Sequence, residues 1–146
     1  MKIILETLLF TMIASSIACG DRPPSVIVDA GDLFTWSKEN RETLDFVSIV
    51  AGRDGLALVA FSKKGKDGLY VTTYVRPYGA AEYSLWGGGF SEKIDYGDGI
   101  MRYVNRVEYA EDHDVLMYMY MPTGILSHSL PLSEAFSKLK QNSQAR

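Results

Sequence analysis

Residues 44–61 decide the fold, and they read Leu-Asp-Phe-Val-Ser-Ile-Val-Ala-Gly-Arg-Asp-Gly-Leu-Ala-Leu-Val-Ala-Phe. Two runs rich in β-branched and aromatic residues flank the tetrapeptide Gly52-Arg53-Asp54-Gly55. Because Asp-Gly adopts the positive φ angles of a tight turn at little cost, this stretch predicts a β-hairpin. The second run, residues 56–61, is apolar throughout, so we expect a central strand covered on both faces.

Strand-like runs continue along the chain, separated by turn residues. They lie at residues 69–75, 83–86, 90–94, 100–109, 115–121 and 125–129. This regular spacing predicts a mainly β domain, an antiparallel meander of about seven to eight strands that forms a small barrel or a curved sheet. A complete β-propeller is excluded, because it needs at least ~4 blades of four strands each.

The end of the chain has the pattern of an amphipathic helix. Pro131 suits a first helical turn, and the apolar residues Leu132, Ala135, Phe136 and Leu139 recur at helical spacing. We expect this C-terminal helix to cover one end or face of the sheet. A shorter helix of one or two turns is predicted within residues 33–42. The single β-rich domain is then residues 26–141, followed by a frayed tail at residues 142–146.

The first nineteen residues have the three parts of a secretory signal. Lys2 provides a basic start, the apolar run 8–17 follows, and small residues precede Cys19, the one cysteine of the chain. The apolar run is too short for a membrane span, which needs ~20 residues. Residues 1–18 are therefore predicted to be a cleaved signal peptide. Ordinary cleavage after Ala18, with Cys19 left as a free thiol, remains the alternative.

The tetrapeptide Ser16-Ile17-Ala18-Cys19 resembles the lipobox of bacterial lipoproteins. The resemblance implies that the sulfur of Cys19 carries fatty acyl chains such as palmitate and that the new amino terminus is acylated too. Two or more chains give stable membrane binding, whereas one gives only marginal binding. Residues 19–25 would form a short tether stiffened by Pro23 and Pro24. In this family an aspartate directly after the cysteine retains the lipoprotein at the inner membrane. Here Gly20 follows Cys19, and Asp21 stands one place too late. The resemblance therefore implies a protein anchored in the outer membrane of the cell envelope, with its domain facing the periplasm.

Composition and motifs exclude several functional classes. A net charge of −3 gives no positive field for nucleic acid, and an acylated Cys19 leaves no thiol for a disulfide or a metal.

His113 and His128 lack metal-ligand spacing. Ser127-His128-Ser129 places serines beside a histidine, but neighbouring residues of a strand point to opposite faces, which predicts no catalytic triad. We therefore expect no catalytic residue, no metal and no cofactor.

The acidic segment Glu111-Asp112-His113-Asp114 lies between two predicted strands. It lacks the glycine and the ligand spacing of a calcium loop. A solvated hairpin tip is predicted.

Aromatic residues provide the candidate binding surface. In residues 115–121, the face with Val115 and the methionines is predicted to be core, and the face with Tyr118 and Tyr120 is predicted to be a half-exposed surface. Tyrosine and tryptophan suit protein interfaces because they combine a large rigid area with a polar tip. The candidate partner-binding residues are Tyr70, Tyr74, Trp86, Tyr118 and Tyr120. Ordinary packing within the sheet is the alternative interpretation.

Four functions are compatible with these observations. The favoured hypothesis is a non-enzymatic module that binds another envelope or secreted protein, as inhibitor and immunity lipoproteins do. The alternative is a structural or assembly lipoprotein of an envelope or secretion complex. A hydrolase with an unrecognised site and a carrier of a small ligand rank below these two.

The mass of the mature protein tests the anchor. We expect membrane-extracted protein to begin at residue 19 and to carry the added mass of several acyl chains. The control Cys19→Ser should stay unprocessed, because lipobox cleavage requires the cysteine. A mature chain that begins at an unmodified Cys19 would contradict acylation and leave only export.

Overall fold

The computed structural model describes residues 22–40, 43–63, 69–90, 94–95, 101–120 and 124–144. The predicted signal peptide and Cys19 lie outside the described residues. In chain order the elements are β1 (Val26–Ile27), α1 (Ala30–Glu39), β2 (Thr43–Ala51), β3 (Gly55–Lys63), β4 (Leu69–Pro77), β5 (Tyr83–Phe90), β6 (Ile94–Asp95), β7 (Met101–Arg102), β8 (Arg106–Ala110), a 3-10 turn (Glu111–His113), β9 (Val115–Tyr120), β10 (Ile125–Pro131) and α2 (Leu132–Gln144).

Five antiparallel strands form the larger sheet, in the order β1-β5-β4-β3-β2. The predicted hairpin is confirmed: β2 pairs with β3, and the amide of Gly52 donates to the carbonyl oxygen of Gly55 at 2.9 Å. The central position of β3 is also confirmed, since it lies between β4 and β2, and Leu58, Val59 and Phe61 are fully buried.

A second antiparallel sheet has the order β10-β9-β8, and β6 and β7 pair separately. The prediction of a mainly β fold with a C-terminal helix is confirmed. Of the two predicted arrangements, a curved sheet is compatible with the structure, whereas the described strands do not close into a barrel.

The two faces of the larger sheet bury separate hydrophobic clusters. One cluster joins the larger sheet to the smaller sheet and to α2, and its central members are Val59, Phe61, Val75, Leu116, Tyr118, Leu132 and Phe136. The other lies between the sheet and α1, and it contains Ile27, Leu33, Leu58, Ala60, Tyr74 and Tyr83. Fully burying one such large apolar side chain stabilises the fold by about 1.5–3 kcal/mol. Because both faces of the sheet are covered, residues 56–61 of β3 are apolar on both sides, whereas β4 also buries Thr72 and Thr73.

The helices differ from their predicted bounds. α2 begins at Leu132, but Pro131 is the last residue of β10, and the helix continues to Gln144 through residues expected to fray. α1 has ten residues, longer than the predicted one or two turns, and it buries only Leu33 and Ser37. With so few buried positions, its sequence carries little helical periodicity. None of the described helices has the length and hydropathy to cross a bilayer.

Candidate functional site

Asp114 is the centre of the candidate site. It follows the 3-10 turn and precedes β9, its φ angle is 53°, and only 2% of its surface is exposed. Aspartate and asparagine tolerate this left-handed conformation better than other residues with a side chain. The prediction of a solvated hairpin tip is therefore wrong for Asp114, because the left-handed turn directs its carboxylate into the protein.

The Asp114 carboxylate connects segments that are distant in the chain. Its Oδ1 accepts a hydrogen bond from the amide of Arg53 at 3.1 Å and another from the hydroxyl of Tyr109 at 2.7 Å. Its backbone oxygen accepts the amide of Leu132 at 2.9 Å, at the start of α2. The other carboxylate oxygen, Oδ2, is buried with no hydrogen-bond partner. One residue thus joins the larger sheet, the smaller sheet and the C-terminal helix.

The hairpin turn between β2 and β3 is held from a second side. The guanidinium of Arg53 donates through Nη2 to the carbonyl oxygens of Glu111 at 3.2 Å and Asp112 at 3.0 Å. Gly52 fits closely, since a Cβ there would lie 2.8 Å from Cδ1 of Leu132. A side chain at residue 52 would therefore force the Leu132 side chain or the turn itself to shift.

Tyr78 fixes the connection between β4 and β5 to the same turn. Its hydroxyl donates to the carbonyl oxygen of Gly52 at 2.7 Å, and its amide donates to the carbonyl oxygen of Asp54 at 3.0 Å. The residue is nevertheless 53% exposed. We call residues 52–55, 78–82 and 111–114 together the loop cluster. Its exposed carboxylates are Asp54, Glu82, Glu111 and Asp112.

The hydrogen bond within the cluster changes the acidity of Tyr109. The bond that its hydroxyl donates to the Asp114 carboxylate is the main cause that raises the pKa of Tyr109 to about 12. The hydroxyl therefore stays protonated, and able to donate, at alkaline pH where an ordinary tyrosine with a pKa of 10.0 would ionise.

The predicted face assignment of β9 is wrong. Leu116, Tyr118 and Tyr120 are buried, whereas Val115 and the two methionines of the strand are half-buried. Tyr118 can be buried because its hydroxyl forms a 2.6 Å hydrogen bond with Oγ1 of Thr73. Burial is also the main cause that raises the pKa of Tyr118.

The structure does not bring the five candidate tyrosine and tryptophan residues to one surface. Tyr74 is fully buried beside α1, on the face of the sheet opposite to Tyr118. Trp86 is half-buried in the cluster beneath α2, with Nζ of Lys138 5.9 Å from its ring centroid. Tyr70 is half-buried next to Gly88, where an added Cβ would lie 3.4 Å from Cε1 of Tyr70.

Ser127 and His128 differ from the expectation for neighbouring strand residues. The register between β10 and β9 shifts between Leu126 and His128, and Oγ of Ser127 lies 3.2 Å from Nδ1 of His128. The expectation that the two side chains point apart is therefore wrong, because the bulge rotates one relative to the other. His128 stacks on Tyr118 with ring centroids 4.2 Å apart. Partial burial lowers the pKa of His128.

The described residues contain no group of three or more histidine, cysteine, aspartate or glutamate side chains that could hold a metal ion.

Comparison with known protein families, curated proteins and solved structures gave no match to this chain.

Sequence reasoning missed the loop cluster, although one signal for Asp114 was present. A short turn between two strands commonly needs a residue with positive φ, and residues 111–114 contain no glycine. Asparagine and aspartate are the usual substitutes. No comparable sequence signal marks Tyr78.

Replacement of Asp114 should destabilise the fold. We expect Asp114→Ala to lower the free energy of unfolding by ~3 kcal/mol, because it removes two hydrogen bonds to a charged acceptor and places alanine in a left-handed conformation. Urea denaturation measures the change. The matched control, Asp112→Ala, removes an exposed carboxylate and should change stability by no more than ~0.5 kcal/mol. Asp114→Gly also removes the hydrogen bonds but adopts the left-handed conformation freely, so it should recover ~1 kcal/mol and leave most of the loss. Equal stability of the Asp114 and Asp112 variants would contradict the role of the carboxylate.

His128 should make stability depend on pH. Its pKa is lower in the folded state than the ordinary value of ~6.5, so the unfolded chain binds the proton more tightly. The unfolding free energy is therefore highest above the ordinary pKa of ~6.5, where His128 is neutral in both states, and it falls as the pH drops below that pKa. We expect His128→Gln to weaken the fall in unfolding free energy between pH ~7.5 and ~5.5. His113→Gln, which changes the exposed histidine of the 3-10 turn, is the control. An unchanged slope in His128→Gln would contradict the assignment.

Proposed function

We propose that the chain is an exported, lipid-anchored and non-enzymatic module that binds another protein of the bacterial envelope. The anchor would be acylated Cys19 in the outer membrane, with the domain facing the periplasm. The observation that carries the binding role is the loop cluster, where three chain connections are fastened to one another and Tyr78 remains exposed.

A surface of this kind suits protein recognition for an entropic reason. Binding costs free energy when loops and side chains must become ordered, and a surface that is already ordered avoids much of that cost. Hydrogen bonds of Arg53 and Tyr78 hold the three connections together before any partner arrives. An exposed tyrosine adds a large rigid contact area with a polar tip.

The charge of the loop cluster indicates the chemistry of the partner. Four exposed carboxylates lie on these connections, and the guanidinium of Arg53 is already engaged with backbone oxygens. Complementary charge speeds association and selects partners more than it adds affinity. A protein with a basic surface is the expected partner.

A separate observation favours the alternative, a structural or assembly lipoprotein. β2 has nine residues, and within the described part of the chain it pairs with β3 alone. Because Gly52 and Gly55 form a hydrogen-bonded pair, the alternation of an antiparallel ladder directs the backbone groups of Val47, Ile49 and Ala51 away from β3. An open strand edge of this kind is a template for a strand from another chain. Such pairing suits a constitutive complex.

Affinity capture with matched variants separates the two functions. The full-length lipoprotein is extracted natively with its envelope partners, and the captured protein is identified and its ratio to the bait is measured. Tyr78→Ala should weaken capture ~30-fold, as loss of an interface hot spot of ~2 kcal/mol does. Tyr78→Phe keeps the ring and the amide bond to Asp54 but loses the hydroxyl bond to Gly52, so its capture should lie between that of the unaltered protein and that of Tyr78→Ala.

The control for the strand edge is Ile49→Lys, which places a charge on an exposed position of β2. It should leave capture unchanged if the loop cluster binds the partner. Loss of a stoichiometric partner in Ile49→Lys but not in Tyr78→Ala would support the assembly function instead. Full capture by both variants would contradict both surfaces.

A further inference from the structure

The direction in which the tether joins the larger sheet is defined by β1. This strand is antiparallel to β5, with Val26 opposite Ser84 and Ile27 opposite Tyr83. The amide of Leu85 then donates to the carbonyl oxygen of Ser25 at 2.8 Å. Followed backward from Ile27, the chain therefore runs along β5 in the direction of its last residues.

Pro24 continues this path and is fixed to the sheet. Its carbonyl oxygen accepts a hydrogen bond from the hydroxyl of the buried Tyr74 at 2.7 Å. Pro23 and Pro24 have restricted φ angles, and the residue before a proline is biased toward extended conformations. The tether is thus directed along β5, away from Tyr83.

The larger sheet has two distinct ends. One end carries the loop cluster. At the other end β3 finishes at Lys63, opposite Thr43 and Leu69. We call this the tether end, because the path of the tether along β5 leads toward it. β4 has nine residues, so the two ends are ~26 Å apart at the usual rise of a strand.

The length of the tether limits how the domain can turn. Pro24 is five residue-to-residue steps from Cys19, and these steps can span at most ~17 Å. The distance along β5 from Leu85 to Phe90 is also ~17 Å. A fully extended tether that follows β5 therefore brings Cys19 only to the tether end of the sheet.

We propose that the anchored domain stands with its tether end against the lipid surface and its loop cluster facing away from the membrane. This inference rests on the proposed function, since it requires acylated Cys19. It assigns the lipid surface to the end with Lys63 and the last turn of α1, because α1 ends four residues before Thr43, which pairs with Lys63. It leaves the loop cluster open to a partner that approaches from the aqueous side.

Charge-dependent fluorescence quenching tests this orientation. Cysteine is introduced at Lys63, at Lys38 in the last turn of α1, or at Asp54 in the loop cluster, and each variant is labelled with a small uncharged fluorophore. Acylation of Cys19 leaves the introduced residue as the one reactive thiol. The lipoproteins are placed in neutral phosphatidylcholine vesicles or in vesicles that also contain anionic phosphatidylserine. Quenching by iodide is compared between the two at constant ionic strength.

The expected result follows from the range of the membrane potential. A surface potential of about −30 mV lowers the local iodide concentration about threefold, and the effect fades within a Debye length of ~8 Å. Lys63→Cys and Lys38→Cys should therefore show about threefold weaker quenching on anionic vesicles, whereas Asp54→Cys should show the same quenching on both.

Flotation of the vesicles distinguishes the two ways in which the proposal can fail. Protein that does not float with the vesicles overturns the anchor and the orientation together. Protein that floats, but shows weaker quenching at Asp54 or no change at Lys63 and Lys38, overturns the orientation and leaves the anchor intact.

Discussion

The buried carboxylate of Asp114 accepts hydrogen bonds from Arg53, which lies 61 positions before it in the chain, and from Tyr109, which lies five positions before it. Burial of a charge is costly unless hydrogen bonds replace its water. Here the compensation comes from the amide of Arg53 and the hydroxyl of Tyr109. Because these donors belong to different sheets, the Asp114 side chain links the two sheets at this end, where the guanidinium of Arg53 adds a second link. The hydrophobic cluster between the sheets supplies area, whereas Asp114 supplies a specific geometry.

The sequence predicted those parts of the fold that local patterns determine. The hairpin around residues 52–55 was readable from its turn residues, and α2 was readable from the spacing of Leu132 and Phe136. The two faces of β9 were assigned in reverse, since a tyrosine whose hydroxyl has a partner can be as deeply buried as leucine. That partner, Thr73, lies 45 residues away in the chain. The loop cluster was missed for the same reason: it consists of contacts between distant segments, which no local period encodes.

Two surfaces of different physical character result from this fold. The loop cluster is held by hydrogen bonds between its own members, so its shape is set before binding. Within the described part of the chain β2 pairs with β3 alone, and Phe46 and Ile49 are exposed on it, so its edge would recognise an extended strand largely without regard to sequence. Under the proposed function, the first surface would suit selective recognition, and under the alternative the second would suit lasting assembly. A single domain can carry both because they lie on different parts of the larger sheet.

The pairing of β1 with β5 also determines how the domain would respond to mechanical force. A pull on an anchored tether would act along the strand axis, since β1 enters the sheet in that direction. Force along the axis loads the bonds of Ser25, the β1 ladder and the Tyr74 hydroxyl together, whereas force across it would break them one at a time. The short first strand is therefore placed in the shear geometry, in which a few hydrogen bonds resist the most load.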